Sequence, residues 1–420
     1  MQLSNIVQNS MEINSVFTPR NSEVNLKMYV PRLGLERDLL RSVFGSMHSL
    51  LFGESGNGKS WLYKKVFNQN GIKFAVANCA NASRLGSITE EICNALIPSG
   101  TPQKVGHSEN KEAAVKAIVA EGKISNQSQY VVTKADPLFE SFRKFRSDVG
   151  SAQAVLVLDN LESILGNASL MNELADIIIL LDDSKYSAFK IKLLIVGVPN
   201  GTLEFFATTK SMESVSNRIE ELPKVTGMTI PEVTTLITMG FKLLKISLNG
   251  QEAAVAKHTH YLTMGVPQRV HEYCEKLAYA ISDQSIGYSE EILAVADQAW
   301  LRVGLRQAYT VLEAHLNSKR TSIARKNQVI FAISTVKVHQ FDAGQIANLL
   351  REKFPSKTTD SNMGIGAILG DLTSGAAPLL TKNKKANSYR VVDPRYTMCI
   401  RAALFINPVT KVVEKKFFTT

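Results

Sequence analysis

The chain has 420 residues, enough for two or three packed units that each bury a core of their own. A hydrophobic share of 45% and a charged share of 20% are those of an ordinary globular protein and exclude wholesale disorder. The formal net charge of +10 is concentrated at one end: residues 301–420 hold 19 Lys or Arg and 7 Asp or Glu, the footprint of a module that meets a polyanion such as DNA.

The first residues, MQLSNIVQNSMEINSV, show no basic start followed by an apolar stretch, so no signal peptide is expected and the cytoplasm is the expected compartment. The longest apolar runs, Ala154 to Leu158 and Ile177 to Leu181, fall far short of the ~20 residues that cross a bilayer, and no membrane contact is expected. Cys79, Cys93, Cys274 and Cys399 lie far apart, as buried reduced thiols do, without metal-ligand spacing.

His48 to Phe52 (HSLLF) reads as a short buried strand, followed by Gly53-Glu54-Ser55-Gly56-Asn57-Gly58-Lys59-Ser60 and then the helix-compatible WLYKKVFNQ. Strand, glycine-rich loop and helix form the setting that G-x-x-x-x-G-K-S requires. The glycines let the loop turn its N–H groups inward, and the helix N-terminus faces the same phosphates. Lys59 is expected on the β and γ oxygens of ATP, and Ser60 on Mg²⁺.

KFAVANC gives a second strand, and about 70 residues then precede the next one, more than a plain crossover needs. Within them GKISNQSQYVVTK is expected to form a hairpin, either a contact to a substrate or partner or a surface decoration. AVLVLDN (Ala154 to Asn160) is a continuous apolar run ending in an acid, so Asp159 is the expected Mg²⁺ ligand at a strand's carboxyl end. The next residue is Asn160, an amide that cannot act as a base, which puts hydrolysis in doubt. Glu162 stands nearby as a substitute base or as a helix-start acid without chemistry.

KLLIVGVPN makes a third apolar strand, whose polar tip Asn200 would face the γ-phosphate and orient water. Arg218 precedes a short strand in SNRIEELPKV, either as a group acting on a neighbouring subunit's nucleotide or as a surface cation.

The order of these motifs, with Asn78 ending the second strand and GVPQRVHEYCEKLAYA in a later helical segment, resembles an AAA+ ATPase. Within that family it is most similar to the origin-recognition and cell-division-control replication initiator branch and to related STAND-like ATPases of bacteria and archaea. The resemblance implies an α/β fold: an AAA+ P-loop base with a parallel sheet, a helical lid and a C-terminal winged helix. It makes Asp159 the Walker B residue, Asn200 sensor 1 and Arg218 an arginine finger. The sensor 2 position of the family falls on Gln268, with Arg269 one residue later. Pro31 and Arg32 match the family's segment over the adenine. The boundaries expected are 1–30 for an N-terminal extension, 31–228 for the base, 229–300 for the lid and 301–420 for the basic module.

In that last module, helices are expected at Arg302 to His315, Ile323 to Ile333, Ala343 to Phe354 and Ile365 to Leu372, with Asp342 as a cap. PLLTKNKKANSYRVVDP would follow as two strands around a polar tip, and KVVEKKFFTT as a loose or edge-strand tail. The third winged-helix position, GIGAILGDL, has no basic residue, so base reading by it is poorly supported. Lys382, Lys384, Lys385 and Arg390 are the expected DNA contacts, with Asn383 and Asn387 beside them. Two functions fit: a DNA-binding ATP switch that self-associates through its nucleotide sites, or a signalling ATPase that gates an effector or regulator protein without DNA.

Overall fold

The computed structural model describes residues 11–97, 136–197, 206, 209, 212–284, 287–317, 324–358 and 363–416. They form two compact units, one of Pro31–Val225 and one of Thr226 onward with the residues before Pro31. The expected hairpin GKISNQSQYVVTK and Asn200 lie outside the described residues.

The first unit is built on five strands, β1 (His48–Phe52), β2 (Lys73–Asn78), β3 (Ala154–Asp159), β4 (Ile191–Gly197) and β5 (Ile219–Glu221). Their order is β2-β3-β4-β1-β5 and every pairing is parallel. The central strands β3 and β4 are buried almost throughout, which is why they read as unbroken apolar runs. Alternate residues feed two cores. Val155, Val157, Leu194, Val196 and Leu51 face one side with α1 (Leu33–Phe44) and α2 (Lys59–Gln69). Leu156, Leu158, Leu193, Ile195 and Leu50 face the other, with α3 (Cys79–Leu85), α4 (Ile88–Leu96), α5 (Pro137–Val149) and α6 (Ala168–Leu181). The sheet is thus the middle of three layers, and β1, β2 and β3 all deliver their carboxyl ends to one edge.

The second unit continues with α7 (Ile230–Leu243), α8 (Glu252–Thr263), α9 (Pro267–Gln284), α10 (Glu290–Val303), α11 (Arg306–His315), α12 (Arg325–Ile333), α13 (Ala343–Lys353) and α14 (Ile365–Asp371). The antiparallel pair β6 (Leu380–Asn383) and β7 (Ser388–Val391), then α15 (Pro394–Ala403) and the pair β8 (Leu404–Ile406) and β9 (Val413–Lys415), complete it. One core runs through all of it, from Ile13 and Phe17 to Val413. Asp342 caps α13 in a reciprocal capping box with Gln345, as its place before the apolar pattern implies.

The helix expected over Arg302 to His315 is two helices. Trp300 is fully buried, and a Cβ on Gly304 would lie 2.9 Å from its ring, so the chain passes the indole at a glycine and turns at the buried Leu305. α15 carries no expectation from periodicity; Asp393 caps it through the Arg395 N–H.

Asp297 on α10 joins four segments of this unit. It is 3% exposed, and its carboxylate meets His258 Nε2 of α8 at 2.8 Å, the Tyr273 hydroxyl of α9 at 2.7 Å and Lys416 Nζ at 3.1 Å. Burial alone would raise its pKa, but the bond and charge of His258, the charge of Lys416 and the Tyr273 hydroxyl hold it below the usual carboxylate range.

Candidate functional site

The loop between β1 and α2 takes the conformation its glycines permit. Gly58, with φ 85°, is the left-handed residue from which α2 begins without a side-chain cap, so first-turn N–H groups of that helix remain for an anion. Gly53 is required for another reason: at φ 157° a Cβ there would sit 2.3 Å from the carbonyl oxygen of Val225. That segment lies along β1 through Leu222 N–H to Leu50 and Val225 N–H to Phe52. The loop's underside is held by it too, since the buried Asn57 donates from Nδ2 to Val225 O at 2.8 Å. Lys224 Nζ lies 3.9 Å from Glu54. Gly56 is also left-handed, and Ser55 is exposed.

Lys59 curls back over this loop, its ammonium donating to the carbonyls of Gly53 at 2.7 Å and Glu54 at 3.1 Å. Burial pulls its pKa down, against the nearby acids Glu162, Asp159 and Glu54. A partly desolvated ammonium served by two neutral carbonyls is suited to a phosphate anion.

Asp159, at the end of β3, is brought to Ser60 across the sheet edge. Ser60 Oγ donates to its Oδ2 at 3.2 Å, and the Tyr63 hydroxyl donates to the same oxygen at 3.2 Å. Asp159 Oδ1 accepts the Asn160 N–H at 2.9 Å. No cluster of three or more His, Cys, Asp or Glu suited to a metal occurs among the described residues. A hydroxyl and one carboxylate, both hard oxygen donors, instead fit Mg²⁺, which keeps several waters and takes its remaining ligands from nucleotide phosphates.

Asn160 stands in the left-handed region at φ 61°, a conformation Asn tolerates. Its side-chain amide donates to Asn78 Oδ1 at 3.1 Å, at the end of the neighbouring β2. Asn78 Oδ1 also accepts the Ala80 N–H that opens α3. Glu162 is exposed in the turn that follows. Arg32, ahead of α1, points NH1 at Asn57 O from 3.5 Å, so the segment before the first helix does reach the loop.

Residues 41–204 match the protein family described as the AAA domain. Among solved structures, a Walker-type ATPase of Pyrococcus abyssi is similar at 15% identity and a TM-score of 0.52, over 92% of this chain and 99% of that one. Cdc6p of Pyrobaculum aerophilum aligns at 14% identity and 0.43, over 93% and 96%. The ADP form of the ORC2 protein of Aeropyrum pernix aligns at 13% and 0.48, over 92% and 96%. No curated protein matches the chain. At 15% identity the likeness to the Pyrococcus abyssi protein is one of fold alone.

The other expected site residues lie on other elements of the chain. Arg218 is placed just ahead of β5, whose Ile219 pairs with His48 at the start of β1. The phosphate loop follows the other end of β1, five residues and roughly 16 Å away. Arg218 therefore cannot serve its own loop; its Nε lies 2.8 Å from Asp182, and NH1 donates to Ser214 O at 2.6 Å. Arg269, in the first turn of α9, pairs with Glu272 at 2.6 Å within its own unit. Lys382, Lys384, Lys385 and Arg390 are all exposed around the β6–β7 turn. Arg390 Nε donates to Thr381 at 3.1 Å, and Lys382 Nζ sits 5.5 Å over the Tyr389 ring. Asn383 is committed to the turn, since its Oδ1 accepts the N–H groups of Lys385 and Ala386. Sequence reading missed Tyr63 and the Val225 contact; spacing gives a hint only for Tyr63, one helical turn after Lys59.

Among the described residues no helix is long and apolar enough to cross a membrane.

Proposed function

We propose that this chain is an ATP-dependent switch whose AAA domain binds ATP with Mg²⁺ and whose basic C-terminal module grips DNA. The observation that carries the reading is the convergence of Lys59, Ser60 and Asp159 beside a loop shaped by Gly53, Gly56 and Gly58. In this reading Glu54, Ser55, Asn57 and the loop N–H groups line the phosphates, and Lys59 leaves the carbonyls for the β and γ oxygens. Ser60 and Asp159 would hold Mg²⁺, which screens phosphate charge when bound.

Asn160, tied to Asn78, has no carboxylate to activate water, so the nucleotide state would persist. Asn200 would contact the γ-phosphate, and Arg269, one residue past the family's sensor 2 position, would respond to the nucleotide state. Arg218, on the sheet edge away from its own loop, would act on the nucleotide of a neighbouring copy, which makes self-association part of the switch.

The helices α12, α13 and α14 followed by the β6–β7 hairpin are in winged-helix order, and the hairpin lysines with Arg390 would contact DNA phosphates. The second reading, a signalling ATPase that gates an effector protein without DNA, is favoured by α14, which has no basic residue.

The test is DNA retention and oligomer size of the purified protein with ATP, with ADP and for Lys59→Ala. Steeply salt-dependent DNA retention that is stronger with ATP, and lost in Lys59→Ala, is expected. No retention at low salt, with a partner protein co-purifying and ATP-dependent oligomers, would favour the second reading.

A further inference from the structure

The Tyr63 hydroxyl serves a purpose that packing does not need. Its ring is 1% exposed, 5.8 Å from Phe67 and 6.0 Å from Phe74, in surroundings where Phe would fill the same space. The hydroxyl instead reaches Asp159 Oδ2 at 3.2 Å, on the oxygen that also takes the Ser60 proton. Oδ1 is engaged by Asn160 N–H. The carboxylate is held at Oδ2 by Ser60 and Tyr63, which stand one turn apart on α2, and at Oδ1 by its own chain at Asn160.

We propose that Tyr63 is a positioning residue that fixes Asp159 against Ser60 and thereby sets how strongly Mg²⁺ adds to nucleotide affinity. A hydroxyl that ligates a cation must turn its proton away from the metal. Asp159 receives that proton, and it can do so in one orientation only if the carboxylate cannot rotate. Ser60 and Asn160 alone leave it a hinge, because Asn160 is the next residue and moves with it. Tyr63, one turn further along α2 than Ser60 and buried, gives Oδ2 a second donor from a fixed ring and removes that freedom.

The inference rests on the ATP–Mg²⁺ reading, and its test separates the two. ATP affinity is measured by calorimetry with excess Mg²⁺ and with EDTA for wild type, Tyr63→Phe, Ser60→Ala and the double variant. Wild type is expected to bind ATP more tightly with Mg²⁺. Tyr63→Phe is expected to match wild type in EDTA, to melt within a few degrees of it, and to lose about tenfold of the Mg²⁺-dependent gain. In the Ser60→Ala background the Tyr63 change is expected to add little, because both act through the same carboxylate.

An undiminished Mg²⁺ gain in Tyr63→Phe would overturn the proposal. So would an equal loss of ATP affinity with and without Mg²⁺, the mark of a merely structural role. A wild type that binds no ATP, or binds it without regard to Mg²⁺, would overturn the ATP–Mg²⁺ reading itself.

Discussion

The side-chain amide of Asn160 donates to Asn78 at 3.1 Å, joining the tips of β3 and β2 directly beside the carboxylate of Asp159. The residue after Asp159 is thus a structural tie between strands, held in a left-handed conformation that most side chains avoid. Asn160→Ala removes the tie and places a Cβ without compensating bonds in that conformation. Urea unfolding is expected to show a loss of about 1–2 kcal/mol. Unchanged stability would mean that the tie contributes nothing.

Gly53→Ala is expected to be far more damaging than its size suggests. The added methyl would meet the Val225 carbonyl oxygen at 2.3 Å, against backbone on both sides. Either the loop or the Leu222 to Val225 segment has to move, at a cost of about 2 kcal/mol or more. Thermal unfolding and ATP titration should both report it, whereas Gly71→Ala, whose Cβ meets nothing within 4 Å, is expected to leave ATP binding intact.

Two buried histidines make the protein acid-sensitive. His48 accepts the Leu193 N–H on Nδ1 and His271 accepts the Thr18 N–H on Nδ1, each at 3.2 Å. Burial pushes both down to about 4, with Lys192 adding to the effect at His48. Between the usual histidine value near 6.5 and about 4, the unfolded chain takes up protons that the folded chain refuses. Stability is therefore expected to fall as pH drops through that window, by up to about 3 kcal/mol per histidine. Asp297, whose pKa is depressed, adds a loss at still lower pH as it protonates. Melting temperature against pH checks this, and His271→Gln, which retains an acceptor for Thr18, should flatten the profile.

Charge reversal on the β6–β7 turn separates the two functional readings. Lys384→Glu with Lys385→Glu leaves the Asn383 turn contacts, which use backbone N–H groups, in place. DNA affinity is expected to fall at least tenfold, and neutral replacement of the same pair should lower the salt slope by about 2. Wild-type affinity in these variants would remove the hairpin from the DNA reading.

How much was legible in the sequence depended on how local each signal was. The phosphate loop, the apolar strands and the Asp342 cap are written in consecutive residues, because the conformation needed is set by glycine freedom, by burial on both faces and by a side chain three positions from its N–H target. The α10–α11 corner was not legible, because helical periodicity continues through Gly304 and only the packed indole of Trp300 interrupts it.

What the sequence by itself determined is a phosphate loop on a parallel sheet and a basic module behind it. Tertiary structure alone decided that Tyr63 joins Ser60 on Asp159, that Asn160 reaches Asn78, that Val225 presses on Gly53, and that Arg218 stands at the far edge of the sheet. Each of these follows from strand order β2-β3-β4-β1-β5, which brings together residues far apart in the chain. No short-range pattern encodes that order, since it is fixed by how the two apolar faces of the sheet are covered.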